Sequence, residues 1–306
     1  MRAAFLSTSL AFAPWQAALA EHMPELELVE WPARGPIDAA LAWQPPAGAL
    51  AALGALRIVH ALGAGVEELL ADPGLAPGVP VVRLVDPSMT RAMGEYVQLQ
   101  VLRLHRRDFD YRAQQAAQVW RELPQRAPDE CRIGILGLGV LGSEAALRLK
   151  VLGFDVAGWS RQERKQKGIP CYWGKDGLAA LIQRSDILVC LLPLTPETEN
   201  ILDARLFAAL PRGAAVVNCG RGAHLVEDDL LDALASGQVA AAALDVFRSE
   251  PLPPTHPFWS HPRIVVTPHA AAATNPRTAA PIVAAALRRF AAGKRPANLV
   301  DRARGY

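Results

Sequence analysis

The sequence predicts an α/β protein of two units, the second of them a doubly wound parallel sheet covered by helices on both faces. Three observations carry this. From about residue 130 to about residue 270 a rhythm of strand, Gly-rich turn, helix and strand repeats, the order that parallel crossover connections impose. The strands are near-continuous apolar runs, such as Ile187-Leu188-Val189-Cys190-Leu191-Leu192. Such runs suit strands buried on both faces, where alternation would suit one wet face. Finally, 306 residues is about twice a common domain of ~150, and 51% hydrophobic with 20% charged residues is too apolar for disorder.

Residues 1–90 alternate short apolar runs with helical stretches. The opening segment 1–7 reads as a buried strand leading into a helix over 14–21. Arg2 before an uncharged run ending Ala-Leu-Ala has some marks of a secretory leader, but Pro14, Trp15 and Gln16 interrupt its apolar stretch and favour the strand and helix. Further strands are expected at 26–30, 57–60 and 79–85. The uncharged run 39–56 contains Pro45, Pro46, Gly48 and Gly54, so it is no continuous membrane helix. From 88 to 107, Met89, Met93, Tyr96, Val97, Gln100, Val101 and Leu104 recur at helical spacing, which predicts a long helix able to link two domains. After a polar segment at 124–130, six strands are predicted, at 132–136, 155–159, 187–192, 214–218, 241–245 and 264–267.

Lys+Arg 32 against Asp+Glu 30 leaves a formal +2, without the basic excess that nucleic-acid binding requires. Cys131, Cys171, Cys190 and Cys219 form no C-x-x-C pair and have no histidine beside them at ligand spacing. They read as reduced, mostly buried thiols rather than as a metal site or disulfide framework. A cytoplasmic protein without membrane or nucleic-acid partners is the resulting expectation.

Immediately after the 132–136 strand stands Gly137-Leu138-Gly139-Val140-Leu141-Gly142, followed by a helical stretch. In that setting the motif points to a dinucleotide: Gly137 for the tight turn, Gly139 for approach of the pyrophosphate to the backbone, Gly142 for close helix packing. The next strand ends about 20 residues on, at Ser160-Arg161 rather than at an acidic residue. An acidic side chain would bind both ribose hydroxyls and repel a 2′-phosphate. Ser160 and Arg161, with Arg164, Lys165 and Lys167 nearby, attract that phosphate and predict NADP over NAD. Read without a ligand, the same run is a solvated basic loop.

Three polar residues follow later strand ends, where open α/β sheets place their ligands. Arg221 stands between Gly220 and Gly222, glycines that let a guanidinium reach into a cleft to clamp a 2-oxo acid and polarise its carbonyl; otherwise it is a turn arginine. His269 follows Thr267-Pro268 at the rim and suits proton donation near neutral pH, or else a structural role. Of the seven histidines, His256 and His261 fall in Pro-rich loops, and His22, His60, His105 and His224 lack a strand-end setting. Glu250, in Ser249-Glu250-Pro251-Leu252-Pro253-Pro254, is a candidate to return to His269, orient the ring and favour the imidazolium, unless it is an ordinary loop glutamate. Asp245 reads either as an acceptor for the nicotinamide amide or as a helix cap. In the first unit, Leu62-Gly63-Ala64-Gly65-Val66 reads as an anion nest or a plain turn, and Trp43 as a cover over substrate or as core.

Together these motifs resemble the D-isomer-specific 2-hydroxyacid dehydrogenase family, and more closely the branch of it that reduces glyoxylate and hydroxypyruvate. The likeness spans nearly the whole chain and includes Leu192-Pro193-Leu194-Thr195-Pro196-Glu197-Thr198, Val226-Glu227-Asp228-Asp229-Leu230, Leu244-Asp245-Val246-Phe247 and the terminal Val300-Asp301-Arg302-Ala303-Arg304-Gly305-Tyr306. The resemblance implies a flavodoxin-like substrate domain made of residues 1–92 and 277–306, an NAD(P)-binding Rossmann domain over 93–276, and a cleft between them. It implies that Arg221 binds and polarises substrate, that Glu250 tunes His269, and that His269 is the acid/base. Cofactor contacts are implied for Gly137, Gly139, Val140, Leu141, Gly142, Ser160, Arg161, Leu192, Pro193, Thr198, Cys219 and Asp245. Substrate contacts are implied for Trp43, Gly63, Ala64 and Gly65, together with Arg221 and His269. NADPH is the implied cofactor, with NAD as the lesser one, and the implied assembly is a homodimer without metal. Glu67 where the family more often has Asp, and Cys219-Gly220 before Arg221 where Ala is common, leave the fine substrate preference open. Two other readings are a dehydrogenase of a bulkier D-2-hydroxy acid and a non-catalytic nucleotide sensor like the corepressors of this fold. Intact Arg221, Glu250 and His269 weigh against the sensor.

Overall fold

In the computed structural model, which describes residues 1–306, the first elements are β1 (Arg2–Ser7), α1 (Phe12–His22), β2 (Glu27–Glu30), β3 (Ala39–Trp43), α2 (Ala49–Ala52), β4 (Ile58–Ala61), α3 (Glu67–Ala71) and β5 (Val81–Val82). Helices α4 (Pro87–His105) and α5 (Asp108–Ala116) follow. The second series comprises β6 (Arg132–Leu136), α6 (Val140–Val151), β7 (Asp155–Ser160), β8 (Cys171–Trp173), α7 (Gly174–Arg184) and β9 (Ile187–Cys190). It continues with α8 (Ala204–Ala209), β10 (Ala214–Asn218), α9 (Glu227–Ala235), β11 (Val239–Leu244) and β12 (Ile264–Val266), before the C-terminal helix α10 (Pro276–Ala291). The chain divides into two compact units, Met1–Met89 with Thr274–Tyr306, and Thr90–Ala273. No helix is long and apolar enough to cross a membrane.

The first unit holds a five-stranded parallel sheet in the order β2-β1-β3-β4-β5, the flavodoxin arrangement. Its central strand, β3, was not among the strands expected from sequence. Ala39-Ala40-Leu41-Ala42-Trp43 is rich in alanine, a weak strand former; it is extended because β1 and β4 pair with it on both sides and Ala39–Ala42 are fully buried. On one face Leu6, Ala40 and Val59 pack against Leu50, Leu53 and Leu69 of the α2 and α3 region. On the other, Phe5 meets Trp15 of α1 at 6.4 Å between ring centroids, and α1 packs on α10, whose Val283, Ala284 and Leu287 are buried. The strand expected at 79–85 is reduced to the two residues of β5.

The second unit holds seven parallel strands in the order β12-β11-β10-β9-β6-β7-β8, one more than the six expected. The addition is β8, a three-residue edge strand, Cys-Tyr-Trp, too short to signal itself by apolar periodicity. Helix α5 was also unforeseen, since none of its residues is buried. The six remaining strands follow the Rossmann order, with the direction of winding reversed between β6 and β9. Alternate residues of each strand serve opposite cores. Leu188 and Cys190 pack with Leu136, Val216 and Leu244, whereas Ile187 and Val189 pack with Ile133, Ile135 and Val217. Covering helices on both sides are therefore why the strands read as unbroken apolar runs.

Candidate active site

The carboxyl ends of β6 and β9 flank the reversal of strand order, where open sheets bind ligands. Gly137 leaves β6 with φ of +98°, a conformation that an L side chain resists. A Cβ at Gly142 would lie 1.9 Å from the Gly137 carbonyl oxygen, whereas one at Gly139 would meet nothing within 4 Å. The loop thus combines a forced turn, open backbone at its middle and tight contact with α6, whose first residues are Val140 and Leu141. These features fit a pyrophosphate at the helix N-terminus. The residues expected to recognise the ribose end β7: the Ser160 hydroxyl donates to the Gln162 carbonyl at 2.7 Å, and Arg161 is exposed. Glu197 is held below the usual carboxyl range by the Thr195 hydroxyl and its own backbone, with the charge of Arg161 adding to this.

Leu192 is buried beyond β9, and the loop that follows is closed by Thr198, whose hydroxyl donates to the Pro193 carbonyl at 2.8 Å and accepts from the Thr195 N–H at 2.9 Å. Cys219 lies after β10, where burial first, and then Asp245, push its thiol well above the ordinary value. Cys190, fully buried, is raised to about 12 and Cys131 to about 11, in both chiefly by burial. None of these three is a nucleophile near neutral pH.

Arg221 opens a single 3-10 turn, Gly222–His224. Its N–H donates to His224 Nδ1 at 2.9 Å, its carbonyl accepts from Asn218 Nδ2 at 3.1 Å, and its Nη1 donates to the Gly220 carbonyl at 2.7 Å. The glycines on either side of it serve packing rather than reach. A Cβ at Gly220 would lie 2.7 Å from His224 Nδ1, and one at Gly222 would lie 1.9 Å from the Phe247 carbonyl carbon.

Glu250 does return to His269, with Oε2 2.8 Å from Nδ1, while its Oε1 accepts the Phe247 N–H at 2.9 Å. Burial alone would raise the Glu250 carboxyl. The hydrogen bonds from His269 and Phe247, with the charges of His269 and Arg221, more than offset this and hold it below its ordinary value. An ionised carboxylate only accepts, so Nδ1 carries a proton and Nε2 is the nitrogen left for chemistry. The side chains of His269 and Glu250 stay 29% and 27% exposed, open enough for a ligand to reach them.

His269 has φ of +52°, strained for a residue with a Cβ. The strain is held by Asp245, which is not a helix cap: no helix follows it. The Asp245 carbonyl accepts the His269 N–H at 2.7 Å. Its buried carboxylate takes the Thr267 hydroxyl at 2.6 Å and the Ala270 N–H at 2.9 Å on Oδ1, and the Ala271 N–H at 3.0 Å on Oδ2. Because Thr267 donates to Asp245, the Tyr96 phenol, 2.6 Å away, must donate to Thr267. Burial pushes that phenol up, so it keeps its proton. Tyr96, Thr267, Asn218 and His224 are the site residues that sequence reasoning missed.

In the first unit Trp43 ends β3 and lies against Gly63, where a Cβ would sit 2.1 Å from indole Cζ3. The segment carrying Gly63, Ala64 and Gly65 is anchored by Leu62, whose carbonyl accepts the Thr274 hydroxyl at 2.7 Å, and by the Gly63 carbonyl, which accepts the Leu84 N–H.

Known proteins share this architecture. The family model for the NAD-binding domain of D-isomer specific 2-hydroxyacid dehydrogenases matches residues 99–271. Glyoxylate/hydroxypyruvate reductase A of Serratia proteamaculans is 46% identical over 299 residues, covering 95% of this chain and 96% of that protein. A D-isomer specific 2-hydroxyacid dehydrogenase from Xanthobacter autotrophicus, crystallised with NADPH and MES, superposes with a TM-score of 0.95 at 40% identity over 100% of this chain and 99% of that one. The NADPH-dependent glyoxylate/hydroxypyruvate reductase of Sinorhizobium meliloti, with NADP and sulfate, gives 0.94 at 37% identity over the full length of both. With the motifs, the two sheet orders and these likenesses in agreement, the chain belongs to the D-isomer-specific 2-hydroxyacid dehydrogenase family.

Proposed function

We propose that this chain is an NADPH-dependent reductase of small 2-oxo acids, turning glyoxylate into glycolate and hydroxypyruvate into D-glycerate. The observation that carries the reading is the joining of His269 to Glu250, within the field of Arg221, in the unit that holds the glycine loop. Bound NADPH supplies a hydride to the carbonyl carbon. The open backbone at Gly139 suits its pyrophosphate, and Ser160 with Arg161 its 2′-phosphate. Arg221 clamps the substrate carboxylate and polarises the carbonyl oxygen, lowering the energy of the charge that grows there. His269, as the imidazolium, passes its Nε2 proton to that oxygen, leaving the product hydroxyl and a neutral ring. Glu250 stays ionised and keeps the ring in register. In this reading the second unit is the nucleotide domain, and Trp43 and the 63–65 segment are substrate-binding residues.

Its test is NADPH consumption with glyoxylate, hydroxypyruvate and pyruvate. The Arg221→Ala and His269→Ala variants are each expected to lose about a hundredfold or more, and activity surviving both substitutions would remove the mechanism. A second copy of the chain is the proposed partner. Leu99 is 53% exposed and Trp120 fully so, apolar side chains that a second copy would cover. Light scattering should therefore give twice 32.9 kDa, and Trp120→Ser should shift it toward the monomer. Four free cysteines fit a cytoplasmic location.

A further inference from the structure

We propose that His224 is a positioning residue for Arg221, a buried imidazole that sets where the substrate-clamping guanidinium stands. The inference rests on the reading that Arg221 binds the substrate carboxylate. His224 is 0% exposed, and burying a polar ring is costly unless its nitrogens are bonded. Its Nδ1 accepts the Arg221 N–H, so no proton can stand on Nδ1 and the proton is on Nε2. Nε2 lies 3.3 Å from the Pro193 carbonyl and donates to it. One ring therefore joins the turn that begins with Arg221 to the loop that leaves β9.

The rest of the turn is built to keep that ring in place. Gly220 leaves the space the imidazole occupies, since any side chain there would drive into Nδ1. Asn218, also 0% exposed, accepts the Gly220 N–H at 3.1 Å and donates to the Arg221 carbonyl. Both backbone polar groups of Arg221 thus end on fully buried side chains, the N–H on His224 and the C=O on Asn218. Gly222 lies against the backbone of Phe247, whose N–H binds Glu250. Fixing the Arg221 backbone therefore also fixes it relative to the His269 and Glu250 pair. An arginine clamp displaced by about an ångström loses up to roughly a hundredfold in rate, which is why a fixed frame matters here.

Two substitutions separate positioning from simple core filling. His224→Leu keeps the bulk and removes the acceptor, whereas His224→Asn puts an amide oxygen near the position of Nδ1. Gly220→Ala serves as a third variant should leucine prevent folding: it leaves every polar group in place and displaces the ring. The measurements are KM and kcat for glyoxylate, NADPH binding by fluorescence titration, and wild type and Arg221→Ala as references. The expected result is a rise of about tenfold or more in glyoxylate KM for His224→Leu and Gly220→Ala, NADPH binding retained, and most of the loss recovered in His224→Asn. Equal KM values for the leucine and asparagine variants, or a wild-type KM in Gly220→Ala, would overturn the proposal. An unchanged KM in Arg221→Ala would instead overturn the reading of Arg221 itself.

Discussion

Replacing Thr267 by valine keeps the shape of the side chain and removes one hydroxyl from the chain Tyr96, Thr267, Asp245. Both of its hydrogen bonds are 2.6 Å long, and the receiving carboxylate on Asp245 is 1% exposed, so water has little access to repair the loss. A hydrogen bond to a charged group contributes about 1.5–3 kcal/mol, and the Tyr96 phenol left without its acceptor adds roughly 1 kcal/mol. Thr267→Val should therefore destabilise by about 2.5–4 kcal/mol, seen in urea as a lower midpoint at unchanged slope and in heating as a loss of roughly 2–4 °C per kcal/mol. Because the strained backbone of His269 hangs on Asp245, kcat should fall while glyoxylate KM moves little. Thr267→Ser retains the hydroxyl and should lose less than about 1 kcal/mol. A valine variant as stable as wild type within ~0.5 kcal/mol would show that the chain of hydrogen bonds does not hold the His269 segment.

Three further outcomes follow from the same geometry. Glu250 has a folded pKa below its ordinary 4.5, so its stabilising contribution is complete above that pH and disappears as the pH falls through the lower folded value. The stability gap between wild type and Glu250→Gln, measured by urea unfolding across pH, should be widest near neutrality and close in acid; a gap that grew as the pH fell would contradict the assignment. Gly63→Ala puts a methyl into the Trp43 indole and should cost about 1–3 kcal/mol by overpacking, or turn the indole away and raise glyoxylate KM. A variant with wild-type melting temperature and KM would show that the contact is not tight. On the proposed role of Arg161 at the 2′-phosphate, Arg161→Glu should weaken NADPH far more than NADH; equal weakening would assign Arg161 to the solvated loop.

What was legible in the sequence followed from where each residue's influence ends. Arg221 and His269 announce themselves because they stand just past apolar strands, and the glycine loop because a strand, a turn and a helix meet within a few residues. Glu250 was readable as a candidate, but its contact with His269 depends on the path of the loop between them. Tyr96 looked like one more core position of a helix, because its partner Thr267 is 171 positions away. His224 lacks a strand end, and its importance comes from burial beside Arg221, which local pattern does not report. Strand β3 escaped for a similar reason: alanines become a central strand only when β1 and β4 already flank them.

The first unit is made from both ends of the chain, and this sets the order in which the protein can mature on the ribosome. Residues 90–273 form a unit of contiguous sequence, able to collapse as soon as they leave the exit tunnel. Helix α1, though synthesised earlier, must wait for α10, which packs on it and is tied to the turn after it by the Arg288 to Glu25 pair across 263 positions. Until then the face of α1 that packs on α10 has no permanent cover, so the N-terminal segment is where a chaperone has most to protect during translation.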